Sequence, residues 1–249
     1  MTNKKKKDTL SKERESDLVQ FIKELNINFN LSHLRKDIIA KKLNIINEAL
    51  THSSANNHFN YEKLEFLGDA VLRLIASEFI ERNFPNMKVG ERSELRSQLV
   101  SDQWLAIFGD QIGIKRMLIL GPKTSGDLAA ISTLQADSTE ALIGAFYICI
   151  NDLEPIENWL NPYWLAESKK VLADPHKQNY KSALQEWSQA KMVMLPEYVT
   201  VESSKEHGNP KRFFCKVNIE GKLIADGWGG SRKAAEKEAA KSALTKLKD

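Results

Sequence analysis

Five acidic residues have the types and spacing to do chemistry. Glu62, Glu65 and Asp69 lie in the segment Asn60-Tyr61-Glu62-Lys63-Leu64-Glu65-Phe66-Leu67-Gly68-Asp69-Ala70-Val71-Leu72. On a helix at about 100° per residue, with Glu62 at 0°, Glu65 falls at about 300° and Asp69 at about 340°, so the three share one face. Asp137 and Glu140, in Gln135-Ala136-Asp137-Ser138-Thr139-Glu140-Ala141-Leu142-Ile143-Gly144-Ala145, sit one turn apart on a second helical face. Two solvated helices that never meet would account for both sets. If instead the helices pack through the small residues Gly68, Ala141 and Gly144, four carboxylates converge, and a compensating charge is needed to keep them ionised. No Cys or His accompanies them, so the matching cation is hard and oxygen-liganded, Mg²⁺ or Mn²⁺ rather than zinc. Such an ion activates water and stabilises charge on a phosphoryl oxygen. Phe66, near 40° on the acidic face, is either an isolated exposed apolar residue or a plug for a pocket on another surface.

The elements that must position these residues are helical over most of the chain. Apolar residues recur at helical spacing over 16–25, 36–43, 45–51, 61–83, 90–108 and 134–150, with Pro85, Gly113 and Gly121-Pro122 as punctuation. In the 61–83 helix, Leu64, Leu67, Val71, Leu74 and Ile75 form the expected core stripe. The polar stretch 167–178 contains Pro175 and reads as a linker. Beyond it the period changes. A helix over 180–191 precedes three short strands, over 197–203, 213–219 and 223–228, with a turn at Gly221; an Ala-rich helix capped by Ser231 runs to Leu247. The predicted fold is an all-α N-terminal domain followed by a small α+β domain of order α-β-β-β-α. The boundaries are a basic, disordered tail (1–14), the helical domain (15–166), the linker (167–178) and the small domain (179–248).

The net charge of +3 is a near-cancellation. Residues 1–7 carry +4 from Lys4 to Lys7, residues 8–174 hold 18 basic and 24 acidic side chains, and residues 175–249 hold 14 basic and 9 acidic. An acidic body and a basic C-terminal part face different chemistry. With 42% hydrophobic residues the chain can bury a core, and no apolar run approaches the ~20 residues of a membrane span. Met1-Thr2-Asn3-Lys4-Lys5-Lys6-Lys7 has no apolar signal region, and Cys149 and Cys215 have no metal-ligand spacing. The expectation is a reduced, cytoplasmic protein without a membrane partner.

Leu64-Glu65-Phe66-Leu67-Gly68-Asp69-Ala70-Val71-Leu72, preceded by Leu50-Thr51-His52-Ser53 and Asn60, resembles the signature helix of the ribonuclease III family. The 136–145 segment is similar to that family's second acidic motif. The resemblance implies that Glu65, Asp69, Asp137 and Glu140 are the metal-site carboxylates, with Asp69 and Glu140 catalytic and Mg²⁺ the ion, Mn²⁺ substituting. It makes Glu62 a residue of the substrate cleft and Phe66 the aromatic that enters a pocket of a second subunit in a homodimer. It treats His52 as a packing or capping residue rather than a ligand. Val89-Gly90 departs from the family, where Glu often stands before this Gly.

Lys181-Ser182-Ala183-Leu184-Gln185-Glu186-Trp187 and Gly229-Gly230-Ser231-Arg232-Lys233-Ala234-Ala235-Glu236 resemble the two ends of a double-stranded-RNA-binding domain. Arg232 and Lys233 open a helix whose free N–H groups already favour phosphate, and Lys237 lies one turn on. Lys181, Gln185 and Glu186 on the first helix complete the expected RNA-binding set with Lys211 and Arg212, which keep the 207–212 loop cationic although it departs from the family's Gly-Pro-x-His pattern. Gln185 and Glu186 suit 2′-hydroxyls in the wide minor groove. Trp187 and Trp228 are read as packing residues. The implied function is Mg²⁺-dependent hydrolysis of double-stranded RNA to 5′-phosphate and 3′-hydroxyl ends, in the processing of rRNA precursors and other structured RNAs (mRNA, some tRNA precursors). The alternative is a catalytically silent duplex-RNA-binding or ribosome-associated protein of the same fold, whose mark would be a missing carboxylate. All four are present.

Overall fold

A computed structural model describes residues 10–31, 34–56, 58–122, 128–174, 176, 179–192, 194–206 and 209–247. Lys4 to Lys7 lie outside the described residues. The chain divides into two compact units, the first taking in Ala130–Ser168 and nearly everything before it, the second Lys169–Asp249.

The first unit contains α1 (Lys12–Glu24), α2 (Lys36–Ala49), α3 (Glu62–Asn83), α4 (Val89–Leu99), α5 (Asp102–Gln111), a 3₁₀ turn (Ile114–Met117), α6 (Leu128–Ile150) and most of α7 (Glu154–Ala173). Apart from one isolated parallel bridge, Thr51 to Ile119, its described regular elements are all helices. Helix α1 begins at Lys12, inside the expected 1–14 tail. The Ser11 hydroxyl caps α1 by accepting from the Arg14 N–H at 3.1 Å. The Arg14 guanidinium then reaches Asn47 Oδ1 (2.8 Å) and the Met117 carbonyl (2.7 Å), tying α1 to α2 and the 3₁₀ turn.

Three other boundaries shift for identifiable reasons. The segments 36–43 and 45–51 are one helix, because Asn44 stays in register and its side-chain amide donates to the Ala40 carbonyl at 2.8 Å. The stretch 90–108 is two helices, broken where Ser101 caps α5 by accepting from the Trp104 N–H. The chain from 154 to 173 is helical although it holds Pro155 and Pro162, and it runs through residues 167–173 of the expected linker. Pro155 sits in the first turn, where no N–H bond is lost. Burial stabilises the remainder. Ile156, Trp159, Leu160, Trp164 and Val171 are all buried, and the Trp164 indole donates to the Leu99 carbonyl at 3.1 Å.

Aromatic rings hold α3, α5, α6 and α7 together. Trp104 stacks on Phe108 at 5.0 Å, Trp164 meets Phe79 and Trp104, and Trp159 bridges Phe108 and Phe146. The small residues decide how closely backbones approach. A Cβ on Gly68 would lie 1.9 Å from the Glu140 carbonyl oxygen, and one on Gly144 would lie 2.3 Å from that of Leu64. Thus α3 and α6 cross in backbone contact. Gly109 of α5 meets Thr139 of α6 in the same manner.

The second unit has α8 (Tyr180–Met192), β1 (Glu197–Glu202), β2 (Phe213–Ile219), β3 (Lys222–Gly229) and α9 (Arg232–Lys246). The sheet is antiparallel in the order β1-β2-β3, with a bulge at Val217/Asn218. Its inner face packs Cys215, Val217, Ile219 and Ala225 against Leu184 of α8 and the alanine face of α9, Ala235, Ala239, Ala240 and Ala243. Gly221 turns the β2–β3 hairpin at φ +72°.

Candidate active site and RNA-binding module

The crossing at Gly68 and Gly144 sets the acidic site. Glu65 and Asp69 lie to one side of Gly68 on α3, and Asp137 and Glu140 approach from α6, the Glu140 backbone touching Gly68 itself. The start of α3 is fixed by Asn60, whose side-chain oxygen accepts from the Glu62 N–H at 3.1 Å, and by Tyr61, whose N–H donates to the Thr51 carbonyl at 2.9 Å. On α6, the Thr139 hydroxyl bonds back to Gln135, and Gln135 reaches Asp110 of α5.

Burial and mutual repulsion push these carboxyls up. Glu140 is raised to about 8, first by burial and then by Asp69, Glu65, Asp102 and Asp137. Glu65 is raised to about 6 by burial and by Asp137, Glu62 and Asp69. Burial and Asp102 also raise Asp137, opposed by a hydrogen bond from the Tyr61 hydroxyl and by His52. The structure therefore brings all four predicted carboxylates within electrostatic reach of one another. It does not close them into a cage. Among the described residues no three Asp, Glu, His or Cys side chains are grouped tightly enough to hold a metal ion. Asp69 is engaged by the Arg73 Nε at 2.8 and 2.9 Å.

Sequence reasoning missed three participants: Asp102 at the start of α5, Arg73 and Tyr61. Arg73 stands one turn after Asp69, a spacing that signals an ion pair. Nothing in sequence brings Asp102 to Glu140, because that approach depends on how α5 packs.

The acidic site has a pH signature in the absence of divalent ions. Glu140 binds its proton more tightly folded (about 8) than at its ordinary 4.5. The resulting stabilisation is complete below 4.5 and is lost as pH rises through about 8. The melting temperature of the chelated protein should therefore fall across this range. Glu140→Gln should flatten the fall, as checked by calorimetry at a series of pH values.

The α3 core line runs through Leu64, Gly68, Val71, Leu72 and Ile75, centred near Gly68 at about 240°. The expected stripe, which included Leu67 and Leu74, is rotated from this because the contact with α6 draws the glycine inward. Leu74 is 50% exposed, and Phe66 is 84% exposed. With Ala70 they form an apolar strip facing solvent, and Val89 is another exposed apolar residue.

In the second unit, Ser231 caps α9 by accepting from the Ala234 N–H, which leaves Arg232 and Lys233 exposed in the first turn. Arg232 and Arg212 both lie over the Phe213 ring, at 5.8 and 5.1 Å. Gln185, Glu186 and Lys211 are exposed, and Lys237 is half-buried. Among the expected RNA contacts, Lys181 and Arg212 are held in ion pairs within the chain. Lys181 pairs with Glu236 at 2.5 Å over the Tyr198 ring, and Arg212 pairs with Glu202 at 2.7 Å. His207 and Gly208 lie outside the described residues. Trp187 packs against the core, while Trp228 lies against Phe214 at 4.6 Å.

A carboxylate-lined helix crossing and an α-β-β-β-α module with a cationic helix start together define a two-domain protein built to act on phosphodiesters. Residues 42–150 match the family model Ribonuclease-III-like, and residues 180–247 match the double-stranded RNA binding motif. The chain is 51% identical to Ribonuclease 3 of Prochlorococcus marinus, over 99% of both chains. It is 40% identical to Ribonuclease 3 2 of Synechocystis, over 80% of this chain and 82% of that one. The solved nuclease domain of the ribonuclease III of Campylobacter jejuni is 25% identical, covers 59% of this chain and 92% of that one, and superposes with a TM-score of 0.48. The chain belongs to the ribonuclease III family: it is an endoribonuclease with a double-stranded-RNA-binding domain.

Proposed function

We propose that the protein hydrolyses double-stranded RNA with a divalent cation, Mg²⁺ or in its place Mn²⁺, held by Glu65, Asp69, Asp137 and Glu140. The observation that supports this reading is the backbone contact at Gly68 and Gly144, which brings the α3 and α6 carboxylates near enough to raise the proton affinity of Glu65 and Glu140. The donor set suits such an ion, being all oxygen and acidic, with Arg73 paired to Asp69. When bound, the cation lowers the pKa of water and stabilises charge on a phosphoryl oxygen. Asp69 and Glu140 would be the carboxylates acting most directly on the reacting groups, and Glu62 would border the duplex. The products carry 5′-phosphate and 3′-hydroxyl ends, and the substrates are rRNA precursors and other structured RNAs.

The domains in this reading are an endonuclease domain over 15–166 and an RNA-binding domain over 179–248. Arg232, Lys233, Lys237 and Lys211 meet phosphates, and Gln185 and Glu186 meet 2′-hydroxyls. Lys181 and Arg212 add RNA contacts only by exchanging Glu236 and Glu202 for phosphate. Two buried free cysteines suit the reducing cytoplasm, and no described helix is long and apolar enough to cross a membrane.

The Phe66, Ala70 and Leu74 strip is the homodimer surface, since Phe66 in open water is an apolar cost that a second copy would remove. Phe66→Ala should weaken dimerisation by about 30-fold or more, the effect of deleting an anchoring aromatic. Sedimentation over a dilution series measures this, and an equally dilution-resistant dimer would count against it. The activity itself is tested with duplex RNA, duplex DNA and single-stranded RNA, each with Mg²⁺ and with chelator. Cleavage of duplex RNA alone, and only with metal, is expected. Undiminished cleavage in chelator would defeat the reading.

A further inference from the structure

We propose that Tyr61 is a positioning residue for the acidic site, its hydroxyl fixing the orientation of the Asp137 carboxylate where a divalent cation would bind. The proposal rests on the carboxylate site described above and adds a residue to it that carries no charge and contributes no ligand.

Tyr61 is the residue before Glu62, at the start of α3, and is buried. Its backbone is fixed on both sides. Its N–H donates to the Thr51 carbonyl at 2.9 Å, and its own carbonyl accepts from the N–H groups of Leu64 and Glu65, each at 2.9 Å. Its hydroxyl lies 3.3 Å from Asp137 Oδ2 on α6. The same helix that carries Glu65 and Asp69 thus also orients a carboxylate of its neighbour. This is a second tie between α3 and α6 beyond the glycine crossing.

The wall behind the ring is also fixed. The Tyr61 ring meets His52 at 5.4 Å. His52 Nδ1 accepts from the Ser54 N–H at 3.1 Å and lies 2.7 Å from the Ser54 hydroxyl oxygen. That oxygen also accepts from the Gly121 N–H at 2.9 Å. Gly121 presses against Ser54, its missing Cβ lying 2.3 Å from the Ser54 carbonyl oxygen. The chain from Gly121 through Ser54 and His52 leaves the phenol little room to turn. Groups that hydrogen-bond to metal ligands set ligand orientation, and their loss typically lowers metal affinity 10–100-fold.

Tyr61→Phe keeps the ring on His52 and removes only the hydroxyl. Titration calorimetry of the full-length protein with Mn²⁺, without RNA, should show binding about ten-fold weaker than the parent. The melting temperature in chelator should fall by no more than about 4 °C, the loss of one hydrogen bond. Affinity within two-fold of the parent would overturn the proposal, and so would a lowered melting temperature with unaltered affinity, which marks a packing role. Asp137→Asn separates the two levels of inference. If it loses Mn²⁺ binding while Tyr61→Phe does not, only the role of Tyr61 fails. If it binds Mn²⁺ like the parent, the carboxylate site fails and Tyr61 with it.

Discussion

Glu140→Gln should bind duplex RNA within about two-fold of the parent yet cleave it on the order of a thousand-fold more slowly, near 4 kcal/mol of lost transition-state stabilisation. The substitution is almost isosteric. It removes a carboxyl that lies partly buried at the helix crossing and is raised to about 8 by burial and by Asp69, Glu65, Asp102 and Asp137. An amide cannot become anionic, so the site loses the charge that a cation would draw out. Binding should survive because the cationic start of α9 belongs to the other unit. Single-turnover cleavage and gel-shift titration on one duplex measure both quantities, and cleavage within ten-fold of the parent would remove Glu140 from the centre of the mechanism.

Gly68→Ala should have the largest effect on stability, above about 3 kcal/mol, at the upper end of overpacking costs or beyond. The new methyl would lie 1.9 Å from the Glu140 carbonyl oxygen and 2.6 Å from its carbonyl carbon. Those atoms are backbone and cannot swing aside, so α6 must move off α3 and carry Asp137 and Glu140 with it. Gly144→Ala, 2.3 Å from the Leu64 carbonyl oxygen, should act in the same direction. Gly90→Ala is the control. Nothing lies within 4 Å of its added methyl, and alanine is the better helix former, so denaturant unfolding should show no loss of stability. If Gly68→Ala unfolds with the parent, the backbone contact is not what sets the site.

The acidic faces were legible in sequence because helical periodicity is a local property: Glu65 and Asp69 follow from spacing alone, and so does the outward placement of Phe66. The α-β-β-β-α order was legible for a similar reason, since the period changes from helical to alternating at β1 and back at α9. What spacing could not supply was tertiary. Leu74 has the period of a core residue, yet the approach of α6 at Gly68 turns it to solvent. Pro155 and Pro162 argue against a helix that the burial of Trp159 and Trp164 nevertheless stabilises. Asp102 enters the site through the packing of α5. Lys181 and Arg212 are legible as cations, but their partners Glu236 and Glu202 lie 55 and 10 residues away.

In the second unit, α9 meets the sheet through alanines on one side and glycines on the other. A Cβ on Gly227 would lie 2.3 Å from the Ala239 nitrogen, and one on Gly229 would lie 2.4 Å from that of Ala235. The helix is seated by main chain against main chain, with almost no interlocking of large side chains. Its outer residues are therefore nearly uncoupled from its seating. Lys233 and other exposed residues of the outer face can change, raising or lowering the grip on RNA, without disturbing the scaffold. The affinity of this module is a quantity that selection can adjust one surface residue at a time, whereas the nuclease crossing, where each added methyl displaces a carboxylate, leaves selection almost no latitude.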